Sequence, residues 1–222
     1  MTVLVTRSYL STHHLWASLR FARQCHDIES SHPGGSGFSL LQRSAVMASV
    51  LSAVAFLEAV INEFFQDIVD GHNSYVSSLD KEVRAALGAF WQEGERSLRL
   101  LQKYQASLAL AHKPLLDRGS TTFQDVHWLI KPRNELVHFR PEDAVAGVPS
   151  SLEKQLGMRF DHNPLIRTRG NPFFPDRCLG SGCAGWSARS ARAFADEVFH
   201  RLGVKPNYQH FRLDKDQLEV PS

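Results

Sequence analysis

The chain has 222 residues, 43% of them hydrophobic and 22% charged, with a formal net charge of +2 at pH 7. Such a composition suits a globular protein with room for a full core, and it excludes a disordered chain or a uniformly basic nucleic-acid binder. Three cysteines without framework spacing (Cys25, Cys178 and Cys183) predict reduced thiols in a cytoplasmic protein, and the opening residues lack the basic-then-apolar order of a signal peptide.

Residues 12–30 predict a helix with Leu15, Leu19, Phe21 and Ala22 among its apolar positions. The stretch HPGGSG (32–37) breaks it, which divides an N-terminal extension, 1–35, from the domain proper, 36–204. His13 and His14 fall on that extension and are expected in solvent. From Ser39 to about Asp70 there is no Pro or Gly, and Leu40, Ala45, Val46, Val50, Val54, Leu57, Ile61, Phe64, Phe65 and Ile68 keep helical spacing. A helix of that length measures about 48 Å. Its apolar arc is wider than one core-facing stripe, so a packed centre or a subunit interface must cover a second face. Its most apolar run, AVMASVLSAVAFL (45–57), is shorter than a bilayer span and predicts a buried helix with no membrane role.

The loop GHNS (71–74) leads to a helix from about Asp80 through Trp91, and residues 97–112 continue or restart it until Pro114. STTFQDVHWLIK (120–131) opens with Thr121 and Gln124 at capping-box spacing and sets Phe123, Val126, Leu129 and Ile130 on one face. Residues 142–182 form a long irregular insertion rich in Pro and Gly, within which SSLEKQLG predicts a short helix. A last helix over 186–203 aligns Ala191, Phe194, Ala195, Val198 and Phe199, with Gly203 as its stop; a polar tail, 205–222, follows. No period-2 alternation marks a sheet, so the expected fold is all-α, a bundle of four to five helices.

The segment KPRNELVHFRP (131–141) gathers a permanent cation, an amide and an imidazole between two prolines. Pro132 suits the first position of a helix and Pro141 disfavours helix at Arg140, so the segment predicts a separate short helix with Arg133 and Asn134 in its first turn. At about 100° per residue, Asn134 and His138 lie roughly 40° apart, while Arg133 lies about 140° from His138. Arg133 must therefore bend its side chain round the helix start to join them. First-turn amides and the helix dipole would add positive character, giving an anion site beside a titratable group. A solvated helix face or a satisfied core histidine is the plainer alternative, and the residue types alone leave both open.

RNELVH resembles the Arg-x4-His signature of HEPN domains (the higher eukaryotes and prokaryotes nucleotide-binding family), in which Asn commonly follows the Arg, and HFRP is similar to the stretch that often trails it. AFLEAVINEFFQD (55–67) resembles the long helix of many bacterial members, and WSARSARAFADEVFHR resembles their closing helix. The resemblance implies a helical bundle that dimerises and so brings two motifs into one cleft. Many members are metal-independent ribonucleases, often toxins of toxin–antitoxin or phage-defence systems, whereas others are silent binding modules. On that footing His138 is the expected general acid/base, Arg133 the phosphate stabiliser and Asn134 a positioning group, with RNA as substrate, no cofactor and no metal.

Glu58 and Asn62, one turn apart in an apolar region, are expected to support the site, with Glu58 pairing Arg133; alternatively Glu58 faces solvent. Lys131, Arg140, Arg167 and Arg169 are the cations expected on RNA. IRTRGNPFFPDR (166–177) interleaves arginines with two phenylalanines, which suits single-stranded nucleic acid or, more simply, a loop pinned by its rings. CLGSGC lacks the second adjacent pair that a zinc site requires.

Overall fold

The computed structural model describes residues 6–32, 37–94, 98–141, 148–166 and 170–210, and among these it is all-helical with no strand. The longest helix, α2 after a first helix α1 (Ser11–Ser30), runs Leu40–Val69 and sets the arrangement. Ala53, Val54, Phe56, Leu57, Val60, Ile61, Phe64 and Phe65 are all fully buried and cover an arc of roughly 180° at 100° per residue. Covering so wide an arc takes several neighbours: α1, α3 (Lys81–Gly94), α4 (Leu100–Leu110), α5 (Thr121–Val137) and α7 (Ser181–Leu202) all pack on it. A short α6 (Ser151–Leu156) lies within the 142–182 insertion. Among the described residues six helices of eleven residues or more thus replace the expected four or five. Among the described residues α2 is the helix long and apolar enough to cross a membrane, and 56% of its most apolar window is buried in the protein. The apolar run extends past residues 45–57, so its burial, not its length, identifies it as a core helix.

The expected extension is part of the core. Leu15, Leu19, Ala22 and Cys25 on α1 are buried, and α1 packs along both α2 and α7. Small residues allow the three to approach: Ser18 Oγ donates to the Ser49 carbonyl at 3.0 Å, and Ser49 Oγ reaches the Ser18 carbonyl at 2.9 Å and the Ala184 carbonyl at 3.2 Å. Glu63 of α2 caps the start of α1 by accepting the Leu10 and Ser11 amides at 2.7 and 2.8 Å. Next to it the buried Asp67 carboxylate takes Arg7 Nε at 2.8 Å, the Ser74 hydroxyl at 2.8 Å and the Tyr9 hydroxyl at 3.0 Å. Burial, then the bond to Asp67, pushes the Tyr9 phenol up to about 12. The first residues of the expected tail also pack inward: Tyr208 is 3% exposed and meets the Phe56 ring edge-on at 5.0 Å.

α7 begins at Ser181, five residues before the expected position. No local side chain caps it; Gly180 stands at the cap position. The cap comes from α1 instead, where Glu29, 7% exposed, accepts the Ser181 amide at 2.9 Å, the Ser181 hydroxyl and Gln42 Nε2 at 2.7 Å. A Cβ on Gly180 or Gly182 would stand 2.7 Å from Asn163 Cα or 2.3 Å from the Asp161 carbonyl, so the 161–163 segment can cross the helix start only over glycines. Gly203, at φ 74°, ends the helix as expected.

Glu29→Ala would strand several buried donors and should cost about 2–4 kcal/mol, lowering the urea midpoint with little change in slope. Because the Tyr9 pKa is raised on folding, its contribution is present below about pH 10 and is lost as pH climbs toward 12. Alkaline melts of Tyr9→Phe should accordingly show a shallower loss over that interval than the parent.

Candidate functional site at the end of α5

Ser120, not Thr121, caps α5, its hydroxyl accepting the Phe123 amide at 3.3 Å. The helix then runs unbroken through Pro132 to Val137, so the expected separate helix beginning at Pro132 does not form. Phe123, Val126, Leu129 and Pro132 repeat every three residues and are all buried. Continuing that face into the core offsets the hydrogen bond and steric fit that an interior proline forfeits. Helix ends before Pro141 as expected, with His138 as the C-cap and its amide bonded to the Asn134 carbonyl at 2.8 Å.

The unbroken helix reverses the local polarity. Arg133, Asn134 and His138 lie at the C-terminal end of α5, where exposed carbonyls give negative partial charge, so no first-turn amides are available for an anion. Positive charge at this end has to come from side chains. Arg133 starts about 140° round the helix from His138, and its Nη1 donates to Asn134 Oδ1 at 2.9 Å. This ties the guanidinium to the amide that shares a helix face with His138. Arg133 and Asn134 are half-buried, while His138, Lys131 and Arg140 are exposed. Among the described residues the His138 imidazole has no hydrogen-bond partner. Val137 and Phe139 beside it are 54% and 49% exposed.

Glu58 does not reach Arg133. Its carboxylate pairs with Lys103 of α4 at 3.2 Å, and the same ammonium donates to Asn62 Oδ1 at 2.9 Å and lies 5.3 Å over the Trp91 ring. Glu58 and Asn62 thus hold α4 rather than the motif. Asn62 also lines a cleft of about 430 Å³ with Arg7, Tyr9, Glu63, Gln66 and Asp70. Lys103 carried no sequence signal because its partners lie some 45 residues away.

Phe174 of the aromatic–arginine loop lies next to the site, its ring centroid 6.2 Å from that of Phe139. Phe173 is 3% exposed and anchors the loop, and Arg177 is tied to Glu153 and to the Asn171 carbonyl at 3.2 Å, so this arginine is structural. Arg167 and Arg169 lie outside the described residues. Cys25, Cys178 and Cys183 are buried free thiols, and among the described residues no group of three or more His, Cys, Asp or Glu is placed to hold a metal ion.

A scan of family models finds none that matches this chain, and comparisons with curated proteins and with solved structures give no match either.

Removing the Lys103 ammonium leaves Glu58 and Asn62 without their donor, so Lys103→Ala should cost about 1–3 kcal/mol in denaturant unfolding. Glu58→Gln, which keeps an acceptor, should lose less than about 1 kcal/mol and leave any RNA cleavage by the protein unchanged.

Proposed function

We propose that this chain is an endoribonuclease of HEPN type that cuts RNA without a metal ion as a homodimer. The carrying observation is the folding-back of Arg133 onto Asn134, one turn from an exposed His138 imidazole. A cation and an amide in contact thus share one helix end with a proton-transfer group. Val137 and Phe139 give that end an apolar rim suited to burial against a second copy, which would set two motifs in one cleft.

The chemistry follows from these groups. One His138 takes the proton from a ribose 2′-hydroxyl, whose oxygen attacks the adjacent phosphorus. Arg133, always charged and planar, offsets the charge that builds on the phosphorane oxygens. The His138 of the second copy protonates the departing 5′-oxygen, leaving a 2′,3′-cyclic phosphate and a 5′-hydroxyl. General acid–base work of this kind contributes about 10²–10⁴-fold. Lys131 and Arg140, with Arg167 and Arg169, supply phosphate contacts along the strand. Such an activity fits a cytoplasmic toxin or phage-defence effector held in check by an antitoxin protein. The open site of a single chain also suits a catalytically silent module that dimerises or binds nucleic acid or nucleotide.

Incubating a labelled RNA pool with wild-type protein in EDTA should yield fragments ending in 2′,3′-cyclic phosphate, with at least a hundredfold loss in His138→Ala. Fragments ending in 3′-hydroxyl, or equal cutting by both proteins, would refute the nuclease reading. A folded dimer that never cuts would favour the silent module.

A further inference from the structure

The exposed side of α5 carries a line of side chains that leads away from the proposed acid–base group. His127, Lys131, Asn134 and His138 fall within about 60° of one another around the helix and extend over about 16 Å at 1.5 Å per residue. His127, Lys131 and His138 are exposed, and Lys131 has no carboxylate within ion-pair distance among the described residues. Beside His127, at 5.1 Å and nearly perpendicular, lies the ring of Trp128. Its Nε1 donates to Gln124 Oε1 at 3.1 Å, which fixes the plane of a half-buried indole. Among the described residues of α5, Glu135, also exposed, is the acid on this side and lies toward the Trp128 edge; Asp125, farther round, is neutralised by Arg159.

We infer that this stripe is a track for single-stranded RNA, running from His138 back along α5, with Lys131 on a backbone phosphate and Trp128 stacked on an unpaired base. The inference rests on the ribonuclease reading for its direction, since the line ends at the proposed acid–base group. The occupant follows from chemistry. An unpaired lysine between two exposed imidazoles on one helix face offers a polyanion a charge and hydrogen-bond donors, and a fixed aromatic ring beside the far end takes a base that a duplex would keep stacked inside. His127, on the same line, adds a donor for a second phosphate.

The test uses the full chain and a short fluorescent RNA methylated at every 2′-oxygen, so that it binds without being cut, with anisotropy read over a range of salt. Lys131→Ala, which alters an exposed side chain, should weaken binding several-fold and reduce the magnitude of the log–log salt slope by about 0.7. Trp128→Ala should weaken binding roughly tenfold with the slope unchanged, and Trp128→Phe, which keeps both packing and a stacking face, should recover most of the loss. A hairpin duplex of the same length should bind more weakly than the single strand. Parent-like affinity in both alanine variants, no RNA binding by the parent, or duplex binding as tight as single-strand binding would each overturn the track. The nuclease reading stands or falls separately, on cleavage of unmodified RNA: a cutting enzyme with an indifferent stripe loses only the track, and a stripe-dependent binder that never cuts loses only the nuclease.

Discussion

A thirty-residue helix that is apolar over about half its circumference can persist in water only if other segments cover it, and most of this architecture follows from meeting that demand on α2. Cover comes from both ends of the chain, α1 and α7, and from α3, α4 and α5 between them. The few polar side chains on α2 become its fasteners, because each buried polar atom needs a partner and each partner belongs to a different segment. Gln42 reaches Glu29 and the Leu179 carbonyl before α7; Ser49 joins α1 and α7; Glu58 and Asn62 hold α4; Glu63 caps α1; Asp67 gathers Arg7, Tyr9 and Ser74. A net hydrogen bond is worth about 1 kcal/mol, yet leaving one of these groups unsatisfied costs about 1–3. These contacts therefore fix register more than they add stability.

What could be read in advance follows from this division. The period of α2, its lack of Pro and Gly, and the stop at Gly203 are local facts, and they appear where expected. The role of α1 was hidden because HPGGSG resembles a boundary, although the helices on either side pack together. The start of α7 was hidden because its cap, Glu29, lies 152 residues away. Pro132 misled for a related reason. A rule about prolines speaks only of the backbone, and the buried spacing of Phe123, Val126 and Leu129 outweighed it. For Glu58 the sequence leaves pairing with Arg133 and exposure to solvent both open, and it gives no pointer to Lys103, the partner that the fold supplies. For the site, the sequence shows which residues share a turn, and the side-chain path of Arg133 is the part that coordinates add.

An unbroken α5 changes what kind of site its end can be. Helix starts bind anions through backbone amides and are little affected by which side chains surround them. A helix end has carbonyls there, so anion binding depends wholly on arginine, lysine and histidine side chains and is lost when those are changed. Anion binding at such an end would thus rest on side chains that can be exchanged without disturbing the fold.

The covering of α2 by distant segments also has a consequence for synthesis. Chains emerge N-terminus first, so α2 leaves the ribosome before α3, α4, α5 and α7 and stays partly bare until α7 has been made. During that interval it displays an 18-residue window with a mean hydropathy of 2.0, the kind of segment that chaperones and membrane-targeting factors recognise. Contacts of such wide sequence separation also close late. A newborn chain therefore depends on being shielded until translation reaches α7, and a ribosome stalled before that point would release an aggregation-prone fragment.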